Sequence, residues 1–399
     1  MQAAIISDDL TGAADTGVQF ARAGYRTAVA FRGAPIPPAE DLHAVALDTD
    51  SRAMPAGFAA KRVLEAGRGV RGARIVYKKI DSTLRGPVAA ELAAALAAVG
   101  RERAVVAPAF PSAGRTTVDG VQLVRGVPVH ETEASDDPRT PVEEGHIPTL
   151  LAASFPSVRS LSAENLADPA TVRRALEDTT CIVADAARDG DLEALVRAVP
   201  DPREVLWAGS AGLARALGIV YPGPCVGTKP PAPTPASRVL VVVGSLSRVS
   251  RGQLRTLSER YGCEAVPVAG ESGVDGEVLD ALRAALSGSV CAAVCSAEER
   301  SPSSAGKITE TLAEVVAGLS ENGLFDALVL TGGETAVGVA WRLGAAGILL
   351  EGEVEPGIPL GSLIGRSPYR VATKAGAFGE PDTLIAAVET LLQSGEDRG

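Results

Sequence analysis

Short apolar runs alternate along this chain with longer segments of helical period, and the alternation is laid down twice. In the first part the runs predict strands at 3–7, 26–31, 43–48, 74–79, 103–107, 181–185 and 204–208. The amphipathic segments between them predict helices at 10–23, 56–69, 84–99, 190–199 and 209–217. The second part predicts strands near 239–243, 264–268, 290–294, 325–331, 348–350 and 369–373, again with helices between. The expected fold class is therefore α/β: two doubly wound domains with mostly parallel sheets and helices on both faces.

The pattern breaks twice. Residues 109–148 are rich in Pro, Gly, Thr and acidic residues, with a hairpin predicted across Val121–Val129 whose turn contains Gly126. So long an irregular segment inside a compact domain is usually functional. Between Pro222 and Pro235, six of fourteen residues are proline, which makes a stiff connector. The expected division is a domain over 1–221, a linker over 222–236 and a second domain over 237–399.

Composition narrows the function classes. Hydrophobic residues make up 46% and aromatics only 4%, so Ala, Val and Leu fill the core. The net charge of -11 argues against nucleic acid or an anionic membrane as main partner. No charged leader precedes an apolar segment and no apolar run of about 18 residues occurs, so a cytoplasmic location is expected. The five cysteines are scattered and odd in number, which disfavours a disulfide framework; Cys291-Ala-Ala-Val-Cys295 reads as a buried strand.

The chemistry-bearing residues gather where predicted strands end, which is where open parallel sheets bind ligands. After the first strand come Ser7-Asp8-Asp9-Leu10-Thr11-Gly12; two adjacent carboxylates there need something cationic or hydroxylated to meet them. After the strand at 74–79 come Lys79, Ile80, Asp81, Ser82, Thr83, Leu84 and Arg85. Asp81, Ser82 or Thr83 is placed to cap the following helix, leaving Lys79 and Arg85 beside an anion-accepting N-terminus. A third cluster, Arg115-Thr116-Thr117-Val118-Asp119-Gly120, leaves the strand at 103–107, and Asp119-Gly120 by itself reads as a turn. His146, one of three histidines, closes the irregular segment.

In the second part three glycine turns join strands to helices: Gly244-Ser245-Leu246-Ser247, Gly332-Gly333-Glu334-Thr335 and Lys374-Ala-Gly376-Ala-Phe-Gly379. Each is weak alone, since tight turns need glycine anyway. Three in one domain point to a nucleotide lying across the strand ends. The acidic turn Glu353-Val-Glu355-Pro-Gly reads as a solvated hairpin.

Taken in order, Asp8-Asp-Leu-Thr-Gly-Ala13, Lys78-Lys-Ile-Asp-Ser-Thr-Leu-Arg-Gly86, Pro108-Ala-Phe-Pro-Ser-Ala-Gly-Arg-Thr-Thr117, Gly332-Gly-Glu-Thr335 and Lys374-Ala-Gly-Ala-Phe-Gly379 resemble the motifs of the four-carbon acid sugar kinase family, over nearly the whole chain. Ser7 stands where that family often has Ala, and Ala377 where a second Gly is common. The resemblance implies a sugar-acid-binding domain followed by a nucleotide-binding domain. It also implies ATP-dependent phosphorylation of the terminal hydroxyl of threonate, erythronate or a 3-oxo-tetronate. It places Asp8, Asp9, Lys79, Asp81, Ser82 and Arg85 in the substrate motifs, and Ser245 or Ser247, Gly332 to Thr335 and Gly376 in the ATP motifs.

With Thr11, Arg115 and His146 these complete the expected substrate set, and with Gly244 and Gly379 the expected nucleotide set. Arg85 and Lys79 are expected at the substrate carboxylate; Asp8 and Asp9 are expected at its hydroxyls, as proton acceptor or at Mg2+, with the division between them open. Closure of the two domains over the substrates is expected, and a symmetric homodimer is the common assembly for such enzymes. Two rival readings are a sugar-acid sensor without turnover and a different hydroxy-acid enzyme, such as a lyase or epimerase. The second leaves the three glycine turns unexplained.

Overall fold

The computed structural model describes residues 1–33, 36, 42–137, 139–227, 234–262, 264–269, 276–297, 305–366 and 368–393. The core of the proline-rich connector and Cys263 lie outside the described residues. The chain divides into two compact units, Met1–Gly33 with Pro38–Gly227, and Thr228–Gly399 with Ala34–Pro37.

The strands of the first unit are β1 Ala3–Ser7, β2 Thr27–Ala30, β3 Ala44–Asp48, β4 Ile75–Lys79, β5 Arg103–Ala107, β6 Arg115–Val118, β7 Val121–Val124, β8 Val127–Pro128, β9 Val158–Leu161, β10 Cys181–Ala184 and β11 Val205–Gly209. Eight of them form a parallel sheet in the order β2-β3-β1-β4-β11-β5-β10-β9. Val, Ile and Ala fill these strands because both faces are covered; β1 is buried at every position. The chain grows the sheet first to one side of β1 and then, through β4, to the other. That reversal opens a crevice at the carboxyl ends of β1 and β4.

The remaining strands, β6, β7 and β8, form a small antiparallel sheet. The segment read as irregular thus contains two consecutive hairpins. The predicted one turns at Arg125–Gly126, with φ of 51° and 84°, and the other at Asp119–Gly120, with φ of 50° and 74°. Positive φ at both central residues matches the strand twist, and the Asp-Gly pair tolerates it.

The second unit has β12 Val239–Val243, β13 Val266–Val268, β14 Cys291–Ser296, β15 Ala327–Thr331, β16 Ala345–Glu353, β17 Pro359–Gly365 and β18 Arg370–Lys374. The order β13-β14-β12-β15-β18 is parallel, and β17 and β16 add an antiparallel hairpin beside β18. β12, β15 and β18 are neighbours, so the three glycine turns that leave them lie side by side. Cys291 and Cys295 are buried in β14 as expected. Among the described residues no helix is long and apolar enough to cross a membrane.

The second strand-end motif departs from expectation. The helix read over 84–99 begins at Val88, with Pro87 before it and no side-chain cap. Leu84 and Gly86 have φ of 60° and 91°, which no helix accommodates. Asp81 instead holds a turn: its carboxylate accepts the Thr83 hydroxyl at 2.5 Å and the backbone N–H groups of Thr83 and Arg85 at 3.3 and 3.4 Å. Lys79 and Arg85 therefore flank this turn, and the uncapped helix N-terminus follows three residues after Arg85.

Candidate active site

Three strand ends converge in the first unit. In register, Ser7 of β1 pairs with Asp48 of β3, and Ile6 with Lys78 of β4. Asp8 and Asp9 follow β1, Asp81 follows β4, and the loop Thr49–Arg52 follows β3. Asp9 caps the helix Leu10–Arg22, accepting the Gly12 N–H at 2.8 Å. Thr11 lies half-buried in the first turn of that helix.

Arg52, which the sequence reading overlooked, organises the cluster. Its guanidinium donates to Asp8 at 2.6 and 3.1 Å and to Asp9 at 2.7 and 2.8 Å. Asp81 lies 3.8 Å away. This is the planar fork that arginine supplies and lysine does not.

Beneath it Lys78 and Glu91 form a buried ion pair at 2.9 Å. Glu91 accepts the Ser51 hydroxyl at 2.5 Å, and Ser51 N–H donates to the Asp8 carbonyl at 2.8 Å. The Arg52 loop is thus tied to β1 and to the helix Val88–Val99.

Lys79 is different. It is only 4% exposed, yet its ammonium makes no hydrogen bond within the protein among the described residues. A Cβ built on Gly12 would stand 3.1 Å from its Nζ and 2.6 Å from an Asp9 oxygen, which places the ammonium beside the carboxylate pair. A buried cation without a bonding partner is a place for an anionic group to bind.

The two adjacent aspartates are driven apart. Burial raises the Asp8 carboxyl, but Arg52, then Lys78 and Lys79, outweigh it and hold it below the usual range. Burial also raises Asp9, and with Asp8 and Asp81 nearby the opposing pull of Arg52 does not prevail; Asp9 sits above the usual range. Oppositely shifted neighbouring carboxyls are a pattern that acid–base sites share with structural ion-pair networks. Asp48, a third carboxyl at the same edge, is pushed up to about 7, first by burial and then by Asp9, Asp50 and Asp8.

Arg85 is engaged rather than free. It donates to Asp81 at 2.8 and 3.2 Å and to Asp137 at 3.4 Å. Ser82 offers its carbonyl to Gln122 Nε2 at 2.8 Å, which ties the small sheet to this motif. Asp185, just beyond β10, accepts the N–H groups of Asp119 and Gly120 at 2.9 Å each. Two expected residues stand elsewhere. Arg115 donates to the Ala113 carbonyl at 2.7 Å, and His146 bonds Thr149 at 2.7 Å with its ring against Gly120. None of the described contacts joins either to the carboxylate cluster.

In the second unit the glycine turns interlock. A Cβ on Gly244 would occupy the place of the Thr335 hydroxyl, and one on Gly376 that of the Ser245 hydroxyl. Gly332 N–H donates to the Lys374 carbonyl at 2.9 Å. Gly332 itself has φ of 100°, and the helix Gly333–Arg342 starts after it without a side-chain cap. The first-turn N–H groups, at Gly333, Glu334 and Thr335, therefore remain available to an anion. Ser247 does cap its helix, accepting the Ser250 N–H at 3.1 Å, and the Gly379 turn abuts Thr383. The acidic turn is a hairpin connection: Glu353 accepts the Gly357 N–H at 3.2 Å and Glu355 accepts the Thr383 hydroxyl.

Comparison with known proteins identifies the two domains that carry these clusters. The family model of a sugar-binding N-terminal domain matches residues 3–217, and that of a nucleotide-binding C-terminal domain matches residues 240–384. The chain is 37% identical to a D-threonate kinase of Cupriavidus necator, with 98% of each chain covered. It is 36% identical to a D-threonate kinase of Bordetella bronchiseptica, over 98% of this chain and 97% of that one. A D-erythronate kinase of Heliobacterium modesticaldum is 31% identical, over 97% and 96%. A Salmonella typhimurium protein of known structure shares the fold, with TM-score 0.80 at 23% identity, over 98% of this chain and 99% of that one. A Bordetella bronchiseptica protein, crystallised as a domain-swapped dimer with bound citrate, gives TM-score 0.52 at 36% identity, over 98% of both chains.

Proposed function

The chain belongs to the four-carbon acid sugar kinase family, and from that premise we propose that it transfers the γ-phosphoryl group of ATP to the terminal hydroxyl of D-threonate. It is an ATP-dependent phosphotransferase acting on a four-carbon sugar acid. The choice of D-threonate rests on relatives of that name at 34–37% identity, against 31% for a D-erythronate kinase and 27–31% for 3-oxo-tetronate kinases.

The observation that carries the substrate assignment is Lys79, a largely buried side chain whose ammonium, beside the aspartate pair, has no hydrogen-bond partner within the protein among the described residues. We assign it to the sugar-acid carboxylate. Asp8, held ionised by Arg52, accepts hydrogen bonds from substrate hydroxyls. Asp9 has a 28% exposed side chain against 4% for Asp8, and its raised pKa suits proton transfer, so it takes the proton of the attacking hydroxyl. Arg85 acts by holding Asp81. Phosphoryl transfer depends chiefly on positioning and charge neutralisation, which this constellation supplies.

Mg2+ enters with the nucleotide, as MgATP. Arg52 already occupies both aspartates, and among the described residues no group of three or more His, Cys, Asp or Glu is arranged to hold a metal. The nucleotide is assigned to the loops at Gly244–Ser247, Gly332–Thr335 and Gly376–Gly379. The substrate domain is set at 1–221, the linker at 222–236 and the nucleotide domain at 237–399, in a cytoplasmic homodimer.

The test is ADP release with MgATP against D-threonate, D-erythronate, L-threonate, L-erythronate and the 2-oxo and 3-oxo tetronates. D-threonate is expected to turn over at about 1–100 s⁻¹, with the highest kcat/KM of the panel. A better acid in the panel overturns the substrate choice; silence across it, with ATP bound, overturns the kinase reading.

A further inference from the structure

A lysine opening a glycine loop at a nucleotide site invites one reading above others, a point charge on a phosphate. The surroundings of Lys374 oppose that reading. The residue is 4% exposed, at the end of β18. Its ammonium donates to Ala375 O at 3.0 Å, to Ser250 Oγ at 3.2 Å and to Gly376 O at 3.4 Å. An ammonium has three donors, and all three are committed to protein acceptors, two in the loop and one on the helix Arg248–Tyr261.

The Gly376 carbonyl is the focus of these contacts. It also accepts the Ser247 hydroxyl at 2.5 Å and the Ser250 hydroxyl. The hydrogen-bond directions are consistent throughout: Ser250 donates to the carbonyl and accepts from Lys374, while Ser247 donates to the carbonyl and accepts from Ser250 N–H. Three side-chain donors on one carbonyl fix the plane of the Gly376–Ala377 peptide.

In a trans peptide the C=O and N–H point in opposite directions. With the Gly376 oxygen drawn inward, the Ala377 N–H faces outward. Ala377 is exposed, and its N–H has no partner within the protein among the described residues. We propose that Lys374, Ser250 and Ser247 form a clasp whose work is to aim the Ala377 N–H at a phosphate oxygen of the nucleotide. Lys374 and Ser250 are positioning residues and do not touch the ligand. Burial, which lowers the Lys374 ammonium to about 8, fits a group enclosed by the protein rather than bathed in solvent at a phosphate.

This inference rests on the nucleotide reading of the three loops, and one experiment separates the two. Calorimetric titration of the full chain with MgATP, MgADP and adenosine is run on the wild type, Ser250→Ala and Lys374→Gln. Wild type that binds none of the three refutes the nucleotide reading. Given wild-type binding, the clasp predicts that both variants lose about tenfold in MgATP and MgADP affinity, one charge-assisted bond's worth, while adenosine affinity stays within about twofold.

Ser250 is fully buried, so it reaches the nucleotide only through the loop. A loss in Lys374→Gln without one in Ser250→Ala makes the lysine a direct phosphate ligand and overturns the clasp. Equal losses for adenosine, or none for any ligand, overturn it as well. Circular dichroism of both variants checks folding, and should one fail to fold, the other carries the same comparison of ATP with adenosine.

Discussion

Arg85 grips Asp81 through Nε and Nη2, at 2.8 and 3.2 Å, four residues apart on a turn that no helix continues. The strongest base in the second motif is thereby spent on shaping that motif. Its neighbour Lys79 is left as the buried cation without a protein hydrogen bond. Loss of Lys79 should accordingly cost more than loss of Arg85. Lys79→Met is expected to raise KM for the sugar acid about 100-fold, the scale of a buried charged contact, and Arg85→Ala about tenfold. KM for ATP should stay within twofold in both, a ratio read from initial rates with each substrate varied in turn.

Asp9→Asn removes the proton acceptor while keeping a cap oxygen for Gly12 N–H. The expected result is a fall in kcat of about 10²–10⁴-fold with the thermal midpoint little changed. Asp8→Asn should act mainly on KM, because Asp8 is held ionised by Arg52. Rate profiles of the two variants against D-threonate concentration distinguish these outcomes, and near-normal kcat in Asp9→Asn removes Asp9 from the chemistry.

Gly244→Ala puts a methyl where the Thr335 hydroxyl stands. The β12 and β15 turns must then separate, an overpacking cost of about 1–3 kcal/mol. KM for ATP should rise about tenfold while KM for the sugar acid is unchanged. The double variant Gly244→Ala with Thr335→Ala, which deletes the clashing group, should regain part of the stability lost; urea midpoints of the three variants report it.

Asp48 gives the pH dependence. Its folded pKa of about 7 lies above the ordinary aspartate value of 3.8, so between those two pH values the native state binds the extra proton. Stability must fall as pH rises through that window and level off above 7. Asp48→Asn keeps an acceptor for the Asp50 N–H, made at 2.9 Å in the wild type, and stays neutral. It should be more stable than wild type by on the order of 2–4 kcal/mol at pH 8, with the gain vanishing near pH 4. Denaturation midpoints at pH 4, 6 and 8 test the sign.

The apolar runs located most strands because buried parallel strands are continuous in hydrophobicity. They failed for β9, an edge strand whose middle residues Arg159 and Ser160 are exposed. They also failed for β17, where glycine and serine interrupt the run. The start of the helix at Val88 was written in Gly86-Pro87, a break that the preceding charged residues obscured. Arg52 was legible in one respect, standing four residues past a predicted strand whose end faces the same edge as Asp8. Its pairing with Asp8 spans 44 positions, and no local pattern states that. Asp185 is a similar case, reaching back 65 and 66 positions to bare N–H groups.

The way the small β6–β7–β8 sheet is moored has a consequence for how the chain can vary. Asp185 holds two main-chain N–H groups, Thr117 and Ala186 exchange main-chain bonds, Gln122 N–H meets Gly145 O, and Ile147 N–H meets Gly120 O. Fasteners of this sort read the backbone and ignore most of the side chains it carries. The outward residues of the hairpins are free to drift under mutation while the hairpins keep their place beside Ser82. A lineage can thus vary the outward surface of these hairpins by point changes, without renegotiating the fold of the sheet beneath.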